Sequence, residues 1–129
     1  MNKILVEVSV GELFDKISIL EIKTKKIKDK TNLKVIKFEL LELKRIIKNK
    51  KLNKSFNKIQ YQKLLKINNR LWSIEDNKRK YEVTKKFDKK FIELARKVYL
   101  LNDKRAEIKN KININSGSRI REVKSYKKY

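Results

Sequence analysis

Apolar residues along this chain return at three- and four-residue intervals over most of its length, the period of helices that bury one face. Leu13, Ile17, Leu20 and Ile27 recur at that spacing, and Phe14 and Ile22 widen the stripe toward a core. Ser9 stands three residues before Glu12, the spacing at which a serine hydroxyl and a glutamate carboxylate reciprocally satisfy the first free N–H groups of a helix. Helix one is therefore expected to begin at Val10 and to end near Lys28. Residues 29–32 (DKTN) supply turn and cap chemistry, after which Leu33, Ile36, Leu40, Leu43 and Ile47 mark a second helix whose opposite face reads as almost wholly basic. Residues 48–57 are the most loop-like interior stretch, and Ser55 is placed to cap a third helix. Its stripe is Ile59, Leu64, Ile67, Leu71 and Ile74, and it runs toward Thr84. A second break falls at Asp88. Phe91, Leu94, Ala95, Val98, Leu101, Ala106 and Ile108 then carry a fourth helix toward Asn113, with Gly117 as its stop. Alternation of period two occurs only at the ends, in residues 3–8 (KILVEV) and 120–126 (IREVKSY), and predicts a short two-stranded ribbon formed by the termini. The expected fold class is all-α or nearly so: an antiparallel bundle of about four helices in one domain spanning 1–129.

Composition supports that reading and removes several chemistries. Two glycines and no proline in 129 residues suit long helices better than a sheet, and this length makes one modest core. Cysteine and histidine are both absent, which excludes disulfides, thiolate or imidazole metal ligation, and the side chain that most often serves as a general base at neutral pH. No cofactor and no metal site are expected, and any chemistry rests on Asp, Glu, Lys, Arg or Tyr. Glu7 interrupts the apolar run near the start, so no signal peptide is read there. No apolar stretch approaches the roughly 20 residues needed to span a bilayer. The expected location is the cytoplasm, without membrane insertion.

The net charge of +22 invites a nucleic-acid reading, because a polycation gains free energy by releasing counterions from phosphates. The excess is mostly lysine and is spread along the whole chain, whereas phosphate and base recognition draws on the fixed fork of arginine. Lys, Asn and Ile are also the residues that AT-rich codons favour, so compositional drift is a source of charge that needs no selection for binding. Nonspecific nucleic-acid binding stays an alternative on these grounds.

Three stretches escape the Lys/Asn/Ile monotony: SVGELFDKISILEIK from Ser9, LWSIED from Leu71 and FIELARKVYLLNDKRAEIK from Phe91. In the first, Glu12, Asp15 and Lys16 crowd one side of a helix start. They read either as a capping box with an intrahelical ion pair or as a polar group in which Asp15 or Lys16 points between helices. In the second, Glu75 and Asp76 point about 100° apart on a helix and cannot act as a paired acid and base. They are placed to pair with Arg79 and Lys80, with Trp72 as a core anchor. In the third, Asn102, Arg105 and Lys109 continue an apolar stripe. Polar groups there are costly unless paired, which makes Arg105 a candidate partner for Asp15 or Glu75. Asp103 and Glu107 are expected to face solvent. The candidate network or ligand site is thus Glu12, Asp15, Lys16, Glu75, Asp76, Asn102, Arg105 and Lys109.

These stretches, with the terminal GSRIREVKSY, resemble a family of small bacterial proteins of unassigned function. The family's pattern runs S-V-G-E-L-x-D-K, L-W-x-I-E-D, F-x-x-L-A-x-x-V-Y-x-x-N-D-x-R-A and a closing K-S-Y. The resemblance covers most of the chain, with matches at Ser9, Gly11, Glu12, Asp15, Lys16, Trp72, Glu75, Asp76, Asn102, Asp103, Arg105, Ser125 and Tyr126. It implies a mostly helical fold and a place beside surface-polysaccharide assembly. The heavy lysine load departs from the pattern and weakens any function based on charge.

Three functional expectations follow. The favoured one is a helical accessory or interaction module whose polar network shapes a surface or groove, with a protein partner or self-association, the latter as a homodimer through helix two or three. The second is a small-anion-binding bundle enzyme in which Arg or Lys holds the substrate and a carboxylate assists. The third is nucleic-acid binding, which requires a continuous Lys/Arg stripe on one face.

Overall fold

A computed structural model describes residues 2–125. They form four helices and no strand: α1 (Val10–Lys26), α2 (Lys30–Asn49), α3 (Ser55–Thr84) and α4 (Lys89–Ser116). At about 1.5 Å per residue, α3 and α4 are both over 40 Å long and α1 only about 25 Å. The two long helices make an antiparallel hairpin, closed at one end by Tyr81 against Phe91 and at the other by Asn57 against Ser116. α1 is the helix that all the others touch; α2 packs on α1 alone. The core gathers where α1 crosses the hairpin and comprises Leu13, Phe14, Ile17, Ile47, Leu64, Ile108 and Ile112. Burying such side chains contributes on the order of 2 kcal/mol each. Among the described residues no helix is long and apolar enough to cross a membrane.

The central position of α1 explains its sequence. A helix flanked by three others has little solvent face, and Gly11, Asp15 and Ser18 are buried along with the apolar stripe. Its start is firmly capped. Ser9 Oγ accepts from Glu12 N–H at 3.1 Å, Ser118 Oγ from Val10 N–H at 2.9 Å and Asn113 Oδ1 from Gly11 N–H at 2.6 Å. Three N–H groups that a helix leaves unpaired are thus met by three separate side chains. Ser9→Ala removes one of them and is expected to cost about 1 kcal/mol, read as a fall in the urea midpoint at unchanged slope.

Several expectations need correction. The terminal ribbon does not form among the described residues; Tyr126 lies outside them. Residues 3–8 expose Ile4, Leu5 and Val6, and the two ends meet through side chains instead, Arg119 Nε donating to both carboxylate oxygens of Glu7 at 2.7 and 3.0 Å. Ser55 is the first residue of α3 rather than its cap, and Lys54 holds the cap position without a side-chain hydrogen bond. On α3, Ile59 is exposed while Asn57, Gln60 and Asn68 are buried. Polar and apolar residues are thus buried together on α3, Asn68 reaching Asp15 and Ser18 of α1. The outer face of α2 is not wholly basic, since Val35, Phe38 and Leu41 stand in water there. α4 continues beyond Asn113 to Ser116, where Gly117 takes a left-handed conformation and Ser118 N–H bonds back to Asn113 O at 2.9 Å.

Candidate functional site

The two helices that carry the first and third motif stretches cross at Gly11. A Cβ there would lie 2.8 Å from Asn113 Oδ1, 2.9 Å from the Lys109 carbonyl carbon and closer still to the Lys109 oxygen. Only a residue without a side chain permits this approach, and it is the approach that brings α1 carboxylates onto α4 cations.

Asp15 lies one turn further along α1, with its side chain 1% exposed. Its carboxylate accepts Arg105 Nε at 2.8 Å and Arg105 Nη2 at 2.5 Å, a bidentate pair, and Asn68 Nδ2 at 2.9 Å from α3. Asn68 Nδ2 also lies 2.7 Å from Ser18 Oγ, and the Ser18 hydroxyl donates to Asp15 O at 2.7 Å. One buried carboxylate therefore ties α1, α3 and α4 together. Arg105 Nη1 approaches Asn102 Oδ1 at 3.4 Å.

Lys109 forms the second half of the cluster. Its ammonium lies 2.6 Å from Glu12 Oε2, 3.2 Å from Glu122 Oε2 and 3.9 Å from Asp15 Oδ2. Glu122 comes from the segment after α4, which folds back over the crossing. The Asp15 hydrogen bonds hold the Arg105 guanidinium more basic than usual against the opposing effect of burial. Burial by itself would make Lys109 less basic, yet Glu12, Asp15 and Glu122 outweigh it and the net shift is upward. A cation whose pKa rises on folding stabilises fully below its unfolded value and loses that contribution as pH climbs through the raised one. For Lys109 that loss falls in the alkaline range above its ordinary value of 10.5, so its contribution is constant through neutral pH.

Of the predicted residues, Glu12, Asp15, Asn102, Arg105 and Lys109 converge here. Lys16 does not: it faces α2, 3.5 Å from Glu39, and is more than half exposed. Glu12 reaches Lys109 rather than completing the capping box with Ser9. Glu75 pairs with Lys78 at 3.5 Å instead of Arg79, and Asp76 is exposed. Seven residues beyond Asn68, Glu75 sits about 10 Å further along α3, out of reach of Arg105. Trp72 is partly buried. Asp103 is half-buried and has a partner, contrary to expectation, while exposed Glu107 pairs with Lys111 at 3.4 Å. Sequence reasoning missed Ser18, Asn68, Asn113 and Glu122. Asn57, Gln60, Leu64 and Asn68 recur at helical spacing, so the signal for Asn68 existed, but amphipathicity assigns such a face to solvent.

Among the described residues Arg105 and Lys109 meet Glu12, Asp15 and Glu122 here, and Lys124 stands 3.9 Å from Glu122. Both oxygens of Asp15 are occupied, and a cleft of about 590 Å³ lies away from the cluster, between α3 and α4 near the turn that joins them. Among the described residues no group of three or more Asp or Glu is placed to hold a metal ion. The arrangement joins α1, α3 and α4 through paired charges.

No curated protein and no solved structure matches the chain. A family model does, over residues 4–129, and the chain belongs to that family, a family of unknown function designated DUF6165.

Proposed function

We propose that the protein is a helical accessory or interaction module, in which the Asp15–Arg105 cluster is an internal clasp and the exposed helix faces meet partners. The observation that carries this reading is the closure of the cluster: a carboxylate 1% exposed, satisfied from two helices, beside an ammonium already met by Glu12 and Glu122. Ligand sites keep polar groups aimed at an open cavity, and a catalytic carboxylate needs a free oxygen within hydrogen-bond reach of substrate. Exposed Val35 and Phe38 on α2 supply apolar surface of the kind partners use. A cytoplasmic location belongs to the same proposal, supported by a sequence without cysteine. A role beside surface-polysaccharide assembly rests on the motif resemblance alone.

The test is a titration of the full chain with phosphate and then citrate, following the Arg105 Nε–H resonance by NMR. The resonance is expected to stay in place at constant ionic strength. A saturable shift in the low millimolar range would make the cluster an anion site and overturn the reading.

A further inference from the structure

The α3–α4 hairpin has two long sides, and α1 covers only one. Tyr61, Leu64 and Asn68 of α3 and Arg105 and Ile112 of α4 face α1, whereas Lys63, Lys66, Arg70 and Asn77 turn the opposite way along α3. On that opposite side three clefts run end to end between the helices. The first shares Arg70 with the second, and the second shares Asn77, Leu94 and Lys97 with the third. From Lys63 to Thr84 the combined groove is roughly 30 Å long, about six helical turns.

Its chemistry is one-sided. Eight cationic side chains line it, among them Lys63, Lys66, Arg70, Lys80, Lys97 and Lys104, against a single carboxylate, Glu93. None of those six forms an ion pair among the described residues, although lysines elsewhere do, as Lys16 with Glu39 and Lys44 with Glu21. The floor is aliphatic, with Ile67, Ile74, Leu94, Leu101 and Ile108.

We infer that this groove is a docking site for an acidic amphipathic helix of a partner protein, lying along the hairpin opposite α1. The inference rests on the interaction-module reading and names its partner class. An aliphatic floor between basic rims asks for an apolar stripe flanked by Asp and Glu, and the α4 cations Lys90, Lys97 and Lys104 repeat every seven residues, a spacing that acidic residues on one face of a helix can match. The hairpin already accepts a helix on its other side, so the spacing of α3 and α4 suits helical packing. A second copy of a chain with net charge +22 cannot supply the complementary charge. Single-stranded nucleic acid fits less well, because among the described residues Tyr81 is the one aromatic lining the groove where such sites stack several bases, and seven of the eight cations are lysine.

The experiment uses the full chain and fluorescence anisotropy. Probes are a 21-residue peptide with leucine on one helical face and glutamate on its flanks, a scrambled peptide of the same composition, and oligodeoxythymidine of matched charge. The groove variant combines Lys66→Glu, Arg70→Glu, Lys97→Glu and Lys104→Glu; a control of equal net charge carries Lys28→Glu, Lys34→Glu, Lys37→Glu and Lys48→Glu. Circular dichroism verifies that both fold. The amphipathic peptide is expected to bind about tenfold tighter than the scramble, and the groove variant to lose about tenfold while the control stays near the parent. Equal binding of peptide and scramble, or equal loss in both variants, would reduce the groove to bulk charge and overturn the inference. Tighter, groove-dependent binding of the oligonucleotide would overturn it in favour of nucleic acid. Either failure with an unmoved Arg105 resonance leaves the module reading standing, whereas a moved resonance removes that reading first.

Discussion

Asp15→Ala is expected to destabilise the protein by about 3–5 kcal/mol, the usual consequence of removing one member of a buried ion pair. The methyl group leaves Arg105 with only the long contact to Asn102, since its Nε and Nη2 both end on Asp15, and leaves Asn68 Nδ2 with Ser18 Oγ as its remaining partner. It also shifts the balance around Lys109 from three carboxylates to two. At about 3–5 °C per kcal/mol for a chain of this size, the melting temperature should fall by about 10–20 °C. Asp15→Asn keeps the shape and one acceptor oxygen, and should cost less than alanine. A calorimetric scan that finds the alanine variant within about 2 °C of the parent would show that the cluster holds nothing together.

Gly11→Ala is expected to be nearly as severe for a different reason. Gly11 has no special backbone conformation, so the change makes no difference to chain flexibility beyond the usual helical preference for alanine. The cost comes from the added methyl group, which meets the backbone of Lys109 and the side chain of Asn113. A main-chain carbonyl cannot swing aside as the end of a side chain can, so α1 and α4 must separate. Overpacking of that kind costs about 1–3 kcal/mol, and the hydrogen bond from Gly11 N–H to Asn113 adds about 1 more once stretched. Separation of the helices should also loosen the Asp15–Arg105 pair. The expected signature is faster hydrogen exchange at Val10, Gly11 and Glu12 together with the lower stability. A stability equal to the parent would mean that the helices cross further apart than described.

The helix count and most boundaries were legible because capping and periodicity are local properties. Val10 as the start of α1 followed from Ser9, and the α3–α4 break followed from Asp88, whose carboxylate accepts from Phe91 N–H at 3.2 Å. The orientation of each helix was harder. α1 touches three neighbours and buries polar as well as apolar residues, so a single stripe underdescribes it. α3 buries Asn57, Gln60 and Asn68 beside Leu64 and Ile74 and turns Ile59 outward, so its buried side is more polar than its apolar stripe implies. Alternation in a short terminal segment specifies no pairing partner, and among the described residues the two ends meet through Glu7 and Arg119, while Glu122 reaches back to Lys109 of α4.

In the candidate cluster, Arg105 could be proposed as a partner for Asp15 or Glu75 because it is a charge on an apolar stripe, and an uncompensated charge there is unstable. Their convergence with Glu12 and Lys109 depended on the close crossing at Gly11, which no spacing rule encodes. Glu75 and Asp76 were included because they share a motif stretch with Trp72, and shared sequence neighbourhood did not translate into shared space. The basic groove was invisible for the opposite reason. Its cations come from two helices joined across a turn, and only the hairpin aligns them while the acidic residues fall mostly on other faces.

The claim that the cluster is a clasp is tested most directly by a double-mutant cycle on Asp15 and Arg105. Unfolding free energies are measured in urea for the parent, Asp15→Ala, Arg105→Ala and the double variant. The predicted result is strong coupling: each single change is costly, and the double variant is no less stable than Asp15→Ala, because neither charge is then left without its partner. Additive losses, with the double variant destabilised by the sum of the two, would contradict the account.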